Sequence, residues 1–453
     1  MRDIVLALFI AGMLPVILRR PAFGALMWAW ISMMNPHTLT YGFAYRVPWA
    51  LIIALTTLVG FVFSRDKKAL PVNGGTVFIA VLMVWMSVTS LFALNPTPDE
   101  VLDRWIFAFK ILFMLVITFM LLRGRQQIEW LLWVMVISVG FYGVKGGLWT
   151  LATGGGGRVW GPPGGNLADN NALAVGLIII FPWVYYLRDV ATKRWLRAGL
   201  LLGMILLGFG ILGSQSRGAL LAVLGMTMVL GIKAKRFVRT TIGLCVVGVA
   251  ALAFMPDSWT SRMDTIQTYQ ADTSAMSRIW TWKTLWNAAV DRPLVGAGFR
   301  ADNPLVFTKY APIDGYEIFR GSVFVAHSIY LQVLGEHGFV GLAIYLGLGL
   351  WTWFAASKLA KLTRDDPEFS SWVPLLMRMT QVSLVGFAIG GAFLSLMLLD
   401  LTFYIPGVIV LVHATVHERR KVTGVSSAAA TAPKNIQNNE GVRKHVLPGR
   451  PSA

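Results

Sequence analysis

Long apolar stretches, separated by short polar and mostly basic segments, run along almost the whole chain. A helix needs about 20 mostly apolar residues to cross a hydrocarbon core of roughly 30 Å. Apolar runs fall at 4–18, 22–34, 47–63, 75–94, 106–122, 128–147, 172–187, 198–213, 219–232, 240–255, 328–356, 374–398 and 402–416. The pattern predicts twelve or thirteen spans, because two of the early runs are short and only Leu399-Asp400-Leu401 separates the last two.

Composition supports an integral membrane protein. The 453 residues are 56% hydrophobic and 14% charged, whereas about 25% of residues are charged in an ordinary soluble domain. The single cysteine, Cys245, lies in an apolar run and excludes a disulfide framework or a cysteine metal site. We therefore predict an all-α, polytopic membrane protein of about 12 transmembrane helices, with a large loop that carries short helices.

The net charge of +18 is distributed as a topology signal and not as a nucleic-acid-binding face. Basic clusters occur at Arg65/Lys67/Lys68, Arg123/Arg125, Arg188/Lys193/Arg194/Arg197, Lys233/Lys235/Arg236/Arg239, Lys358/Lys361/Arg364 and Arg419/Arg420/Lys421. An even number of predicted spans separates each cluster from the next, so all six are expected on one face, which the positive-inside rule makes cytoplasmic.

The domain organisation follows from the same count. Residues 1–255 are predicted to form about ten transmembrane helices, 256–326 a periplasmic loop domain, 327–418 the C-terminal transmembrane helices, and 419–453 a disordered cytoplasmic tail. In the loop, "DTSAMSRIWTWKTLWNAAVDRP" predicts a helix with Ile279, Trp282, Trp286 and Ala289 on its apolar face. Its three tryptophans within seven residues are typical of a helix that lies at the membrane interface.

Arginines on the expected periplasmic face are the first candidates for a ligand site. Arg217, in "SQSRGALLAVL", lies against an apolar run on each side, so it either binds a ligand or extends to lipid headgroups. Arg278 in the loop helix and Arg158 in the glycine-rich loop are, taken singly, more typical of solvated arginines. Together, the three guanidinium groups could bind a lipid-linked phosphate through bidentate hydrogen bonds.

The stretch "VFVAHSIYLQVLGEHGFVGL" holds His327, Glu336 and His337. If 327–340 is one helix, His327 and Glu336 face opposite sides, nine residues or about 900° apart. His327 then lies at the aqueous mouth and is the better candidate for a proton acceptor. Glu336 and His337 lie deeper between glycines, where helix packing is the expected role.

Taken in order, "SQSRGALLA", "SRIWTWKTLWNAAVDRPLVGAGF" and "HSIYLQVLGEHGFVGL" resemble the O-antigen ligase and polymerase superfamily of bacterial inner-membrane glycosyltransferases. The family pattern is Ser-Arg-Gly, then Arg with Pro-Leu-x-Gly-x-Gly, then His-Ser/Asn-x-Tyr-Leu with Glu-x-Gly. The first 45 residues also look like the branch described as exosortase-associated O-glycosylation ligases, which favours a ligase over a polymerase. His337 has no counterpart in this pattern.

The resemblance implies transfer of a glycan from undecaprenyl pyrophosphate to an acceptor hydroxyl at the periplasmic face, with lipid A core as the acceptor of the ligases. It implies His327 as the base and Arg217 and Arg278 as pyrophosphate contacts, with Arg158 as a further candidate for substrate binding. Because diphosphate is a good leaving group, the chemistry requires neither a nucleotide nor a metal, and no cofactor is expected. The expected partners are the two glycan substrates and membrane lipids, with no nucleic acid.

Three alternatives stay open. A polymerase or a protein O-oligosaccharyltransferase of the same superfamily would use the same residues and differ in its acceptor. A polysaccharide transporter would instead need ionisable residues near the midplane of two related halves. Only Lys110, Lys145 and Arg378 are basic and well inside predicted spans, and the sequence shows no clear repeat, so the transporter is the less favoured reading.

Overall fold

A computed structural model describes residues 1–64, 69–233, 273–313 and 317–422. Within these ranges every regular element is helical, and no strand is present. Eight of the helices are long and apolar enough to cross a membrane. The predicted fold class, an all-α polytopic membrane protein, is confirmed.

The described ranges contain fourteen α-helices, numbered here in chain order. They are α1 (Arg2–Arg19), α2 (Pro21–Met34), α3 (Trp49–Phe63), α4 (Gly74–Leu91), α5 (Pro98–Leu121), α6 (Gly124–Ala152), α7 (Asn170–Val190), α8 (Arg194–Gly213), α9 (Arg217–Lys233), α10 (Thr273–Asp291), α11 (Pro304–Tyr310), α12 (Ile329–Leu362), α13 (Val373–Gly390) and α14 (Asp400–Val422). A short 3₁₀ segment, Gly391–Phe393, follows α13.

Most predicted spans correspond to a helix, although the exact number of spans stays open. Among the shorter apolar helices are Pro21–Met34, Trp49–Phe63 and Arg217–Gly231. The predicted span 240–255 lies outside the described residues, as do Cys245 and the basic residues at 65–68 and 235–239. Of the tail predicted as disordered, 419–453, residues 419–422 continue helix α14, and the rest lies outside the described residues. Met1–Thr415 form one compact unit, which includes the described part of the loop assigned to 256–326.

The start of α6 contacts both the segment before α4 and helix α14. The Arg123 guanidinium donates to the carbonyl of Ala69, which directly follows the cluster at 65–68. Next to it, the Gly124 N–H donates to Thr415 Oγ1, 3.2 Å away, in the helix that carries the last cluster. The start of α6, which carries Arg123 and Arg125, therefore lies beside Ala69 and Thr415.

The loop helix α10 forms close to its predicted bounds and ends directly before Arg292-Pro293, but its predicted apolar face is confirmed only in part, because Ala289 is buried and Trp286 is not. The buried positions include Trp280, Leu285 and Ala288, whereas Trp286 is 50% exposed. Trp280 packs in an aromatic cluster with Phe307 and Phe319. The helix therefore packs largely in a folded core of the loop. Of its tryptophans, Trp280 belongs to that core and Trp286 is exposed.

Residues 327–340 do not form one continuous helix. The helix begins at Ile329 with Ser328 as its N-cap, and Gly338 interrupts it with φ 68° and ψ −173°. The Pro-Leu-Val-Gly-Ala-Gly segment 293–298 docks against this break, and we call the two segments, 293–298 and 335–339, the loop–helix joint. Three backbone hydrogen bonds close it: Ala297 N to Gly335 O (2.7 Å), Gly298 N to Glu336 O (2.9 Å) and Phe339 N to Pro293 O (2.8 Å).

Glycine is required at the joint for two reasons. Gly296 and Gly338 both have positive φ, a backbone conformation that costs other L-residues about 1–2 kcal/mol. A Cβ atom at Gly296 would lie 2.6 Å from the Gly335 carbonyl oxygen, and one at Gly338 would lie 2.3 Å from that of Leu294. A side chain at either position would therefore separate the docked segments.

Gly296→Ala should destabilise the folded protein strongly, by the conformational strain plus the loss of the backbone contacts. Gly321→Ala is a matched control, because Gly321 has φ 78° but a Cβ atom there would meet nothing within 4 Å. The measurement is the thermal unfolding midpoint of each variant in detergent. A midpoint for Gly296→Ala equal to or above that of Gly321→Ala would contradict the role assigned to the joint.

Candidate functional site

His327 lies outside the helix, in the extended segment that leads into α12. Its φ is 46°, in the left-handed region. Few residues other than glycine adopt this region, although histidine does so more often than most. Such a conformation persists only where the surroundings fix it, and it is more frequent at functional sites. The structure supplies the constraint on both sides of the peptide bond that precedes His327.

The peptide between Ala326 and His327 is held by two side chains from distant parts of the sequence. Trp282 Nε1, in α10, donates to the Ala326 carbonyl oxygen at 2.7 Å. On the other side, the His327 N–H donates to Ser395 Oγ at 2.8 Å. The position of the imidazole is thus fixed by the loop helix and by the segment that follows α13.

Arg278 and Asp169 act electrostatically on the His327 imidazole. Burial is the largest effect and lowers the pKa of His327 below its ordinary value; the Arg278 charge lowers it further, while Asp169 raises it. Arg278 lies one helical turn before Trp282 in α10, so the same helix both carries this charge and holds the Ala326 carbonyl. The structure therefore keeps the imidazole neutral near pH 7, the state in which it can accept a proton.

Arg217 begins α9 and is connected to the same region through its neighbours. A Cβ atom at Gly218 would lie 3.2 Å from Phe393 Cβ, which shows how closely α9 packs on the segment that leads to Ser395. The turn before Arg217 is fixed by Asn170 Nδ2, which donates to the Ser214 carbonyl oxygen at 2.7 Å. The start of α7 thus has two roles. Asn170 binds the turn before Arg217, and the adjacent Asp169 raises the pKa of the His327 imidazole.

Arg158 lies in an ordered loop beside the same turn. The next residue, Val159, donates its N–H to the Gly213 carbonyl oxygen at 3.0 Å. The Arg158 side chain is exposed, whereas Arg217 is half-buried. Of the three arginines, Arg278 thus acts directly on His327, Arg217 lies in a connected turn, and Arg158 lies at the surface next to that turn.

His337 is fully buried and is held as a packing residue would be. Its Nδ1 atom is 2.7 Å from Thr89 Oγ1, and its ring packs edge-to-face on Phe299 with centroids 4.7 Å apart. Its carbonyl oxygen accepts a hydrogen bond from Trp85 Nε1 at 3.0 Å. These contacts join α4, α12 and the segment after the joint.

Glu336 differs from the sequence prediction, which gave it a role in helix packing. It is 5% exposed, yet it lines a cavity of about 210 Å³. Its Oε2 atom has no hydrogen-bond partner among the described residues, and the nearest approach of the His337 ring is 3.9 Å. The cavity is lined by Arg104, Leu285, Arg300, Ala301, Asp302, Phe324, Val325, Ala326, Gln332, Glu336 and Ser395.

Sequence reasoning missed this cavity because its polar residues come from distant segments. Arg104 lies in α5, and Arg300 and Asp302 follow the joint. Arg300 Nε is 3.7 Å from Glu100 Oε2, and its Nη1 is 3.6 Å from Asp302 Oδ2. The one available signal was a glutamate inside an otherwise apolar stretch, a position at which an ionisable group is a functional candidate by default.

The three basic residues on which a transporter would depend lie elsewhere. Lys110, Lys145 and Arg378 are all exposed at the outer surface of the described structure. A transport pathway would need such groups in the interior, near the midplane of the membrane. The arrangement therefore does not favour the transporter.

Two consecutive parts of the chain match two different family models. Residues 202–346 match the family model described as O-antigen ligase. Residues 1–192 match a family of unknown function (DUF5935). No curated protein matches the chain significantly. The O-antigen ligase match contains Arg217, Arg278 and His327 together with the loop–helix joint.

Proposed function

We propose that this chain, whose residues 202–346 match the family model described as O-antigen ligase, transfers a glycan from undecaprenyl pyrophosphate to an acceptor hydroxyl. We propose further that it does so at the periplasmic face of the bacterial inner membrane. The observation that carries the proposal is the half-buried imidazole of His327, whose pKa is lowered by burial and by the charge of Arg278. A base next to a permanent cation suits a reaction that takes up a proton and releases an anion.

In the proposed reaction His327 accepts the proton of the acceptor hydroxyl as its oxygen attacks the anomeric carbon of the donor sugar. The bond between that carbon and the pyrophosphate oxygen breaks, and undecaprenyl pyrophosphate leaves with the electron pair. Arg217 and Arg278 bind the departing diphosphate and stabilise its charge, as oriented cations do in other group transfers. Arg158, at the surface of the adjoining loop, is proposed to contact the donor as it enters.

Burial of His327 has a chemical consequence. A lowered pKa weakens the imidazole as a base but keeps almost all of it in the unprotonated form that the reaction requires. Because the diphosphate leaves readily without protonation, the weaker base suffices. Positioning of the hydroxyl and the donor in one site supplies much of the remaining acceleration.

Lipid A core is the proposed acceptor, because the O-antigen ligases use it. A second lipid-linked glycan, as for a polymerase, or a protein hydroxyl, as for an O-oligosaccharyltransferase, would require the same catalytic groups. The match of residues 1–192 to a family of unknown function favours none of the three. An acceptor panel in the transfer assay separates them.

His327→Ala should lower transfer by about 10²–10⁴, the usual contribution of a general base. His337→Ala should retain substantial activity per folded molecule, since its Thr89 and Phe299 contacts are packing contacts. Transfer to the acceptor is measured in membranes that contain equal amounts of folded protein. If His337→Ala is well folded but inactive while His327→Ala turns over normally, His327 is not the base.

Asp169→Asn should shift the acid limb of the pH–rate profile to lower pH. The Asp169 charge raises the pKa of His327, so its removal lowers that pKa and the neutral base persists in more acidic solution. Asparagine can still cap α7, as Asp169 Oδ1 does by accepting from the N–H groups of Asn171 and Ala172. The measurement is transfer, as kcat/KM, against pH.

Asp291→Asn is the control for this change. Asp291 interacts with Lys309 and Tyr310 and is not among the groups that act on His327. Its removal should leave the acid limb in place. An acid limb that is unchanged or moves to higher pH in Asp169→Asn would contradict the assignment of this limb to His327.

A further inference from the structure

We propose that the cavity lined by Glu336 is a binding subsite for one sugar ring of the glycan substrates. Nothing in the match to known families assigns this cavity. The identity of the substrate that supplies the ring rests on the proposed function, whereas the class of ligand follows from the cavity itself.

Two buried hydrogen-bond acceptors in the cavity lack a partner. Glu336 Oε2 and Gln332 Oε1 are both without one among the described residues, although the two side chains are only 5% and 7% exposed. An unpaired buried polar atom destabilises the fold, so a ligand that donates hydrogen bonds to both would recover free energy on binding. The residues lie one helical turn apart in α12, so both acceptors line the same wall.

The other groups in the cavity select the class of ligand. Arg104 and Arg300 supply N–H donors, and Asp302 and Glu336 supply carboxyl groups, so the lining mixes hydrogen-bond donors with acceptors. A free phosphate or diphosphate, which mainly accepts hydrogen bonds, would leave the two unpaired acceptors unsatisfied and would meet the carboxyl groups. Sugar hydroxyls both donate and accept, and they match the mixed set.

The size of the cavity fits a single ring. Its volume of about 210 Å³ is below the range of about 300–1,000 Å³ that is usual for drug-sized ligands. Leu285 and Phe324 add apolar surface to the lining, against which the C–H face of a sugar ring can pack. An oligosaccharide would have to extend out of the cavity.

The cavity adjoins the peptide that fixes His327. Ala326 and Ser395 both line it. Ala326 supplies the carbonyl of the peptide that precedes His327, and Ser395 accepts a hydrogen bond from its N–H. Arg217 and Arg278 are not part of the lining. A ring bound here would therefore lie next to the base and apart from the proposed diphosphate contacts, and it could belong to the donor glycan or to the acceptor.

Glu336→Gln tests the subsite kinetically. The substitution keeps the size of the side chain but replaces an acceptor oxygen with an amide N–H₂ group. We expect KM for one glycan substrate to rise about 5- to 100-fold, because the amide N–H₂ group would face a hydroxyl hydrogen and leave both groups unsatisfied, with a much smaller change in kcat. A rise in the donor KM would assign the ring to the donor, and a rise in the acceptor KM would assign it to the acceptor.

Thr89→Val is the matched control, because Thr89 contacts His337 and does not line the cavity. It should leave both KM values unchanged in the folded fraction. If Glu336→Gln does not fold, Gln332→Met removes the second acceptor at nearly constant volume and should give the same rise in KM. Unchanged KM values for both substrates in a folded Glu336→Gln or Gln332→Met variant would overturn the proposal.

A binding measurement separates this proposal from the proposed function. Saturation-transfer NMR with N-acetyl-D-glucosamine, D-glucose and D-galactose at millimolar concentration, and with glycerol as a negative control, should detect a bound monosaccharide. Binding should be lost in Glu336→Gln and retained in His327→Ala, whether or not the wild type shows transfer. Absence of monosaccharide binding, or equal binding by Glu336→Gln, would overturn the sugar subsite even if transfer is confirmed.

Discussion

The backbone hydrogen bonds of the loop–helix joint are the constraint on which the site depends. At Gly338 the ladder of α12 is interrupted, and in an apolar setting each unpaired carbonyl costs several kcal/mol. The N–H groups of Ala297 and Gly298 satisfy the Gly335 and Glu336 carbonyls. The same bonds attach the chain that follows α10 to the helix that follows His327.

Once α10 and α12 are attached to each other, the remaining geometry follows. Trp282 donates a hydrogen bond to the Ala326 carbonyl, and Ser395 accepts one from the His327 N–H. The backbone of His327 is therefore held in a conformation that an isolated chain would rarely adopt. Arg278 lies on the same helix as Trp282, so the cation and the base are held by a single element. Glu336, at the joint, lines the cavity next to this peptide and is buried with one unpaired carboxyl oxygen.

Elements that depend on local pattern could be predicted from the sequence, and those that depend on distant contacts could not. Long apolar runs gave the helices, and Asp-Arg-Pro gave the end of α10, because hydropathy and proline act locally. The apolar face of α10 was predicted only in part, because Trp280 packs on Phe307 and Phe319, and the period of the helix does not reveal these contacts.

The candidate site divides in the same way. His327, Arg217 and Arg278 could be singled out from motif order, but the left-handed conformation of His327 is imposed by Trp282 and Ser395. Arg104 joins the cavity from a helix more than 200 residues before Glu336, and no spacing rule relates the two. The motifs Pro-Leu-x-Gly-x-Gly and Glu-x-Gly could be recognised in the sequence, whereas the docking of one on the other depends on the fold.

The central claim is that the chain itself transfers a glycan from a lipid pyrophosphate. The most direct measurement uses purified protein in liposomes with undecaprenyl-pyrophosphate glycan and lipid A core, with a chelator present and no nucleotide. The account predicts glycosylated lipid A core and an equal amount of released undecaprenyl pyrophosphate. Failure to form product with any acceptor in the panel, or product formed only when a nucleotide or metal is added, would contradict it.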